Sequence, residues 1–382
     1  MPPRQSKQEQ VKNVSVLSAN TEIDTKSFVS KEDSKVSGVA VKSNGIDKYY
    51  SLKDYGDVPS NLSMEDHTID MVDGNTEVSI TVKELVKDIQ PKSKLPVTLV
   101  SATEVMSTYV WKGILVRDLL LQKDMVDTKK TRMISRKSVE FVGNDDSTCC
   151  IPLARILNPA YDIILAYETN GALLKYDDGA PVRLIVPGCT ATYSIKWIKK
   201  INITCNDEDK VTKLNQSGSE LSINSSITRP AHNESIDIAK MYTGTYDIEG
   251  IAYAGGGRKI TRVEISTDKG ITWKLAEIHR KEQPNDYENY WCSVGWSYKN
   301  AIPVIQMITI KEIWARSWDE SNNVQRHDYK VKIHLVNNSV VTALDHITST
   351  SVMKKYALKF EHLPVGYENV KSDCSDDHEF LP

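Results

Sequence analysis

Several common protein signatures are missing from this sequence, and each absence narrows the reading. Its six cysteines (Cys149, Cys150, Cys189, Cys205, Cys292 and Cys374) show no CxxC spacing, and the neighbouring pair Cys149-Cys150 is badly placed to bridge to itself. A disulfide framework is therefore not expected, and reduced thiols are. No apolar run approaches the roughly 18–20 residues that a membrane span needs. The eight histidines form no metal-ligand spacing. A net charge of -3 excludes a general electrostatic attraction to nucleic acid or to an anionic membrane. The first residues lack the apolar core of a signal peptide, and Glu9, Glu22 and Asp24 interrupt any acid-poor presequence. The final Glu379-Phe-Leu-Pro382 is no peroxisomal tripeptide. The expected address is the cytoplasm, with nuclear entry left open.

What the sequence does contain is enough apolar material, 40% of 382 residues, to bury two cores. Residues 1–45 are too polar to offset the entropy of ordering and read as a disordered tail. Residues 46–206 read as an α+β domain. Thr81-x-x-Glu84 is a capping-box signature, followed by Val82, Leu85, Val86 and Ile89 at helical spacing. A second helix is expected over Leu115–Leu121, with strands at Val97–Val100, Ile163–Ala166, Arg183–Val186 and Ser194–Ile203. The Ser-rich segment 207–229 reads as a linker. Residues 230–350 read as all-β: Val263 and Ile265 alternate with Arg262 and Glu264, Asp268-Lys-Gly270 turns, and Ile271, Trp273 and Leu275 return. Strands near Trp291–Trp296, Val304–Ile308, Ile313–Trp318 and Tyr329–Val336 complete a β-sandwich rhythm. Residues 351–382 read as a second flexible tail.

One stretch combines two cations with an anion-binding design. In Asp177 to Trp197, DDGAPVRLIVPGCTATYSIKW, a turn leads into Val182–Val186, Pro187-Gly188 breaks the run, and Ile195-Lys196-Trp197 closes it. This resembles the core motif of the sulfite oxidase family of molybdopterin oxidoreductases, in which the segment wraps the cofactor and its phosphate. Tyr109-Val-Trp-Lys-Gly113, Ile151-Pro-Leu-Ala-Arg155 and Leu165-Ala-Tyr-Glu-Thr-Asn-Gly171 follow the family's order. Gly250 to Arg258 and Arg262 to Trp273 are similar to its dimerisation domain. The resemblance implies a sulfite-oxidase-like molybdopterin-binding domain followed by an immunoglobulin-like β-sandwich dimerisation domain, and hence a homodimer. On the same resemblance, Arg183 and Lys196 are the cofactor-phosphate residues.

The family's metal-ligating cysteine falls at Ser101, an oxygen donor in place of a softer thiolate. Its substrate-pocket tyrosine falls at Ser147, the arginine before the Lys-Trp pair at Tyr193, and the histidine before Gly-x-Pro-Val-Arg at Asp178. Its Arg-Asn-His motif aligns with Lys53-Asp54-Tyr55. These changes lead to the expectation of a dimeric binding or scaffold protein without molybdenum catalysis and without a cofactor, its tails available to protein partners. The alternative is an active molybdenum–molybdopterin oxidoreductase using Ser101 or a nearby cysteine as an atypical ligand. A third reading keeps only anion binding at Arg183 and Lys196. Ala254-Gly-Gly-Gly-Arg258 lacks the Lys-Ser/Thr ending of a phosphate loop and is expected to serve a hairpin.

Overall fold

The computed structural model describes residues 63–74, 76–101, 106–127, 129, 134–205, 220–238, 244–337 and 356–363. Residues 1–45, Lys53-Asp54-Tyr55 and most of both expected connecting and terminal segments lie outside the described residues. In the first half, the strands are β1 (Thr68–Asp73), β2 (Thr76–Thr81), β3 (Lys92–Val100), β4 (Met106–Leu115), β5 (Lys137–Gly143), β6 (Thr148–Pro152), β7 (Ile164–Thr169), β8 (Ala172–Leu173), β9 (Arg183–Ile185) and β10 (Ile198–Cys205). The helices are α1 (Val82–Asp88), α2 (Val116–Gln122) and α3 (Leu153–Leu157).

Helix α1 begins where the capping box places it. Thr81 Oγ1 accepts the Glu84 amide at 3.1 Å, and Glu84 Oε2 accepts the Thr81 amide at 3.0 Å. Among the described residues the helices are short and the architecture is mostly β, so this half is less helical than the mixed α+β reading. Two sheets, ordered β2-β1-β10-β5-β6 and β3-β4-β7-β8 with β9 beside β7, share one core built from Met71, Phe141, Leu165 and Ile201 together with Leu85 and Leu119 of the helices. The expected strand Ser194–Ile203 starts only at Ile198, because Ala191–Tyr193 forms a 3₁₀ turn.

In the second half, β11 (Asn224–Arg229), β13 (Thr245–Tyr253), β17 (Val294–Pro303) and β16 (Glu277–His279) form one sheet in the order β11-β13-β17-β16. A second sheet is ordered β12-β20-β19-β18-β14-β15. Its strands are β12 (Ser235–Asp237), β14 (Ile260–Ser266), β15 (Lys274–Leu275), β18 (Glu312–Asp319), β19 (Tyr329–Asn337) and β20 (Tyr356–Leu363). Ile248 and Trp296 of the first sheet meet Val263, Ile313, Val331 and Phe360 of the second in one core.

Four expectations need correction here. Strand β11 lies inside the segment read as linker, because its serines are buried and satisfied: Ser225 Oγ donates to Gln325 Oε1 at 2.6 Å. Strand β20 lies inside the segment read as a tail and is held between β12 and β19, its Leu358, Phe360 and His362 turned inward between charged neighbours. Residues 304–308 are no strand. Val304–Met307 is a helical turn, α4, that buries Val304 and Met307 three apart, a spacing that a short apolar run cannot distinguish by itself. The returning arm of the β14–β15 hairpin is only two residues long, and Ile271 and Leu275 face solvent.

Strand β20 is fastened by a buried imidazole. His362 Nε2 donates to the Pro230 carbonyl at 2.7 Å, which leaves Nδ1 to accept from the Tyr329 hydroxyl at 2.9 Å. Burial pushes its pKa down from 6.5 to about 4, with His232 adding to the fall and the Pro230 bond opposing it. Between those two values the unfolded chain binds the proton and the folded one does not. Stability is therefore complete above pH 6.5 and falls by roughly 3 kcal/mol as the pH drops towards 4. Urea titrations across that range should show this loss in the wild type and a flatter profile in His362→Gln; equal slopes would refute the assignment.

Candidate functional site

The two cations of the central motif, Arg183 at the start of β9 and Lys196 just before β10, converge on the Asp177-Asp178 turn that precedes β9. Strand β9 pairs with β7, placing Arg183 opposite Ala166. From there its Nη1 donates to the Asp178 carbonyl at 3.2 Å, its Nε donates to the Ser194 carbonyl at 3.3 Å, and the guanidinium lies 5.4 Å from the Trp111 ring. Lys196 Nζ donates to the Asp177 carbonyl at 2.6 Å and lies 5.5 Å from the Trp197 ring. Burial, and then the positive charge of Arg183, push the Lys196 pKa down to about 8 against the pull of Asp178, Asp177 and Asp145. Both cations thus take main-chain carbonyls of the aspartates in the turn.

The backbone at this place is strained. Trp197 is fully buried yet has φ of +50°, a region that bulky residues rarely enter and that costs on the order of 1–3 kcal/mol. It is held by its Nε1, which donates to the Tyr176 carbonyl at 3.0 Å, and by its carbonyl, which accepts the Asn144 amide at 2.9 Å. The strain fixes the direction in which Lys196, the residue before it, enters the site.

Aromatic groups complete the surroundings. Tyr109 meets Trp111 edge to face at 5.6 Å, and the same Trp111 ring carries Arg183. Burial, and then Asp178, push the Tyr109 phenol up, with Arg183 opposing them. Trp111 Nε1 and the Tyr176 hydroxyl are both buried without a hydrogen-bond partner among the described residues. Buried donors are nearly always satisfied, and the Trp111 ring that bears one of these orphans also carries Arg183. The Tyr109-x-Trp111 motif marks this strand in the sequence, whereas the unpartnered donors become visible only in the fold.

The remaining expected site residues divide between two places. Ser147 lies in the β5–β6 turn, where its hydroxyl donates to Asp145 Oδ1 at 2.6 Å. This turn abuts the Lys196 backbone: a Cβ on Gly143 would sit 2.7 Å from the Lys196 carbonyl and 2.8 Å from Ser147 Oγ. Ser101 follows β3, half-buried, beside Thr190, which bridges to Val100. Tyr193 ends the 3₁₀ turn, its carbonyl accepting the Cys149 thiol at 3.4 Å. The Ser147 turn therefore packs beside the Lys196 backbone, whereas Ser101 neighbours Thr190 and Tyr193 ends the 3₁₀ turn that follows Thr190. Near them Arg155 Nη2 donates to Cys189 Sγ at 3.4 Å, and burial raises the pKa of that thiol. Among the described residues no group of three or more His, Cys, Asp or Glu is placed to hold a metal. No helix there is long and apolar enough to cross a membrane.

The same loop docks onto the second domain. The Gly188 carbonyl accepts the Leu221 amide at 3.0 Å and the Gly256 amide at 3.5 Å. The Gly255–Gly257 run is thus a seat for this loop, and a Cβ on Gly255 would lie 2.0 Å from the Leu221 carbonyl oxygen.

Residues 55–212 match the oxidoreductase molybdopterin binding domain, and residues 215–342 match the Mo-co oxidoreductase dimerisation domain. The chain belongs to the sulfite-oxidase-like molybdopterin oxidoreductase family. It is 33% identical over 323 residues to nitrate reductase [NADH] 1 of Phaseolus vulgaris, covering 72% of this chain and 36% of that protein. It is 32% identical over 295 residues to nitrate reductase [NAD(P)H] of Hordeum vulgare, covering 65% of this chain and 33% of that protein. The chain thus spans about a third of the length of these relatives. The sulfane dehydrogenase SoxCD of Paracoccus pantotrophus shares its fold, with a TM-score of 0.54 at 18% identity over 71% of this chain and 77% of that one.

These matches correct the expectation that no cofactor is bound. A molybdopterin-binding domain with nitrate reductase relatives points to the molybdenum cofactor in this family member. The residues fit its anionic part, since Arg183 and Lys196 bring two cations to one turn and the unpartnered Trp111 donor lies beside Arg183.

Proposed function

We propose that this chain is a molybdenum–molybdopterin oxidoreductase of the sulfite oxidase type, acting as a homodimer on a small oxyanion. The buried, unpartnered Trp111 Nε1 beside Arg183, inside a domain that matches molybdopterin binding, carries the reading. Arg183 and Lys196 hold the phosphate, Trp197 fixes the approach of Lys196, and the Ser101 oxygen serves as ligand. When bound, the cofactor supplies oxygen-atom transfer coupled to two-electron redox chemistry. Ser147 and Tyr193, at the family's substrate positions, provide less fixed positive charge than a dianion such as sulfite needs. A monoanion is the better match, in keeping with the nitrate reductase relatives. The competing reading, a binding or scaffold protein without molybdenum catalysis, rests on Ser101, Ser147, Tyr193, Asp178 and the Lys53-Asp54-Tyr55 segment of the sequence.

Metal and pterin analysis of protein from a cofactor-competent host tests this directly. Stoichiometric molybdenum and pterin are expected in the wild type, with turnover of nitrate faster than of sulfite. Arg183→Glu should lose both metal and pterin with its far-ultraviolet circular dichroism unchanged, and Ser101→Ala should keep pterin while losing molybdenum. A wild-type protein free of both would end the proposal.

A further inference from the structure

Strand β3 is the outermost strand of its sheet, with β4 on one side, and it runs directly into Ser101. An outer strand leaves its second row of main-chain donors and acceptors to be met by something else, and its end opens easily where nothing meets them. Here the second domain meets them. The Thr98 amide donates to the Trp291 carbonyl at 3.0 Å, and the Ser293 amide donates back to Thr98 Oγ1 at 2.9 Å. Two residues further on, Val100 packs in one cluster with Leu221 and Tyr253. It also bridges to Thr190, whose loop is itself seated on the second domain through the Gly188 carbonyl.

Trp291 ties these contacts together. Its side chain is buried and joins Leu99, Trp111 and Ile185 in one apolar cluster. The indole Nε1 donates to Asp162 Oδ2 of the first domain at 2.8 Å. The Trp291 amide donates to Glu282 Oε1 at 2.7 Å and the Cys292 amide to Glu282 Oε2 at 2.9 Å, so one carboxylate fixes the main chain of the segment. A Cβ on Gly188 would sit 2.9 Å from Cζ3 of the Trp291 ring, which places the ring against the backbone of that loop. One residue of the second domain is thus bonded to the strand that ends at Ser101, packed on the loop that bridges the same strand, and part of the cluster that holds Trp111. A binding site must keep its groups within about 0.5 Å of their working geometry, through supporting residues whose own rotamers are locked. Trp291 is locked at both its ring and its main chain.

We propose that Trp291 is a positioning residue for the cofactor site: through it the second domain holds the end of β3, and with it the Ser101 oxygen, in place. The inference rests on the oxidoreductase reading given above and adds that the site is incomplete without the second domain. Docking of the domains and retention of the metal are then coupled, and each strengthens the other.

The molybdenum-to-pterin ratio of the full chain, made in a cofactor-competent host, tests it. Loss of an outer-shell support weakens metal binding by about 10–100-fold, so Trp291→Ala should keep pterin and retain about a tenth or less of the molybdenum per pterin. Trp291→Phe, which keeps a ring against Gly188 and drops only the Asp162 bond, should recover most of the ratio. Thr98→Val keeps the shape, removes the acceptor for Ser293 and should lower the ratio in the same direction, which covers the case of an alanine variant that does not fold. Hydrogen exchange supplies a readout independent of the metal: amides 98–101 should lose protection in Trp291→Ala while those of α1 keep theirs. An unchanged ratio in the folded variants, or molybdenum and pterin falling together, overturns the positioning role and leaves the oxidoreductase reading standing. A wild-type chain free of molybdenum and pterin overturns both.

Discussion

Asp319→Ala is expected to cost about 3–5 kcal/mol of stability, because it leaves a buried charge network without its centre. The carboxylate is fully buried at the end of β18. Its Oδ2 accepts from Arg258 Nε and Asn323 Nδ2, each at 2.9 Å, and its Oδ1 accepts the amides of Ser321 and Asn323, each at 2.9 Å. Burial pushes its pKa up, but the bonds from Asn323 and Arg258 together outweigh that and hold it below the ordinary carboxylate value. The group is thus ionised in the fold. Its contribution is complete above the unfolded pKa and is lost as pH falls through the lower folded one.

The loss would spread, because Arg258 also contacts Glu220 at 3.5 Å, and Glu220 contacts Arg155 of the first domain at 3.3 Å. The link from Glu220 to Arg258 is half-exposed and screened, so most of the expected cost belongs to the buried end. Urea denaturation at neutral pH measures it. Asp319→Asn, which keeps the shape and one acceptor, should fall between the wild type and alanine. A change below about 1 kcal/mol for alanine would show that the network is dispensable.

How much of this could be read in the sequence depends on the distance over which each residue finds its partner. Thr81 and Glu84 cap a helix through bonds three residues apart, so α1 was legible in full. The alternation of Val263 and Ile265 with Arg262 and Glu264 was equally local. Strands β11 and β20 were not legible, because what makes Ser225 and His362 strand residues is Gln325 and Pro230, about a hundred or more positions away. The hairpin illustrates a subtler failure. Ile271 and Leu275 have the right period for a buried face, and the period is correct, but the face they share points outward. At the site, Arg183 and Lys196 were legible from their motif. The part played by Trp111 and Tyr176 was not, because an unsatisfied donor is visible only once the surrounding atoms are placed. Nothing in the sequence joined Arg155, Glu220, Arg258 and Asp319.

Gly113→Ala is expected to be at least as damaging, costing about 3 kcal/mol or more, and to reach the site as well. Gly113 stands at the register shift where β4 passes β7. A Cβ there would lie 2.0 Å from the Leu165 carbonyl oxygen, 2.6 Å from its carbon and 2.7 Å from the Ala166 Cα. All three are backbone atoms, so no side chain can swing aside and the two strands must part. The entropy gained by removing a glycine from the unfolded chain, about 0.4–1 kcal/mol, is too small to offset that. Parting them also moves Arg183, because β9 hangs on β7 through the pairing of Ala166 with Arg183. This gives the Trp-x-Gly pair a physical reason: Trp111 lines the anion site, and Gly113 lets the strand carrying it approach the strand that positions Arg183. The substitution should therefore lower the melting temperature and the molybdenum content together. Gly171→Ala is the control, with φ of +84° but nothing within 4 Å, and should cost only the modest strain of that backbone conformation. If Gly113→Ala melts and loads like the wild type, the close approach of β4 and β7 does not hold Arg183 in place.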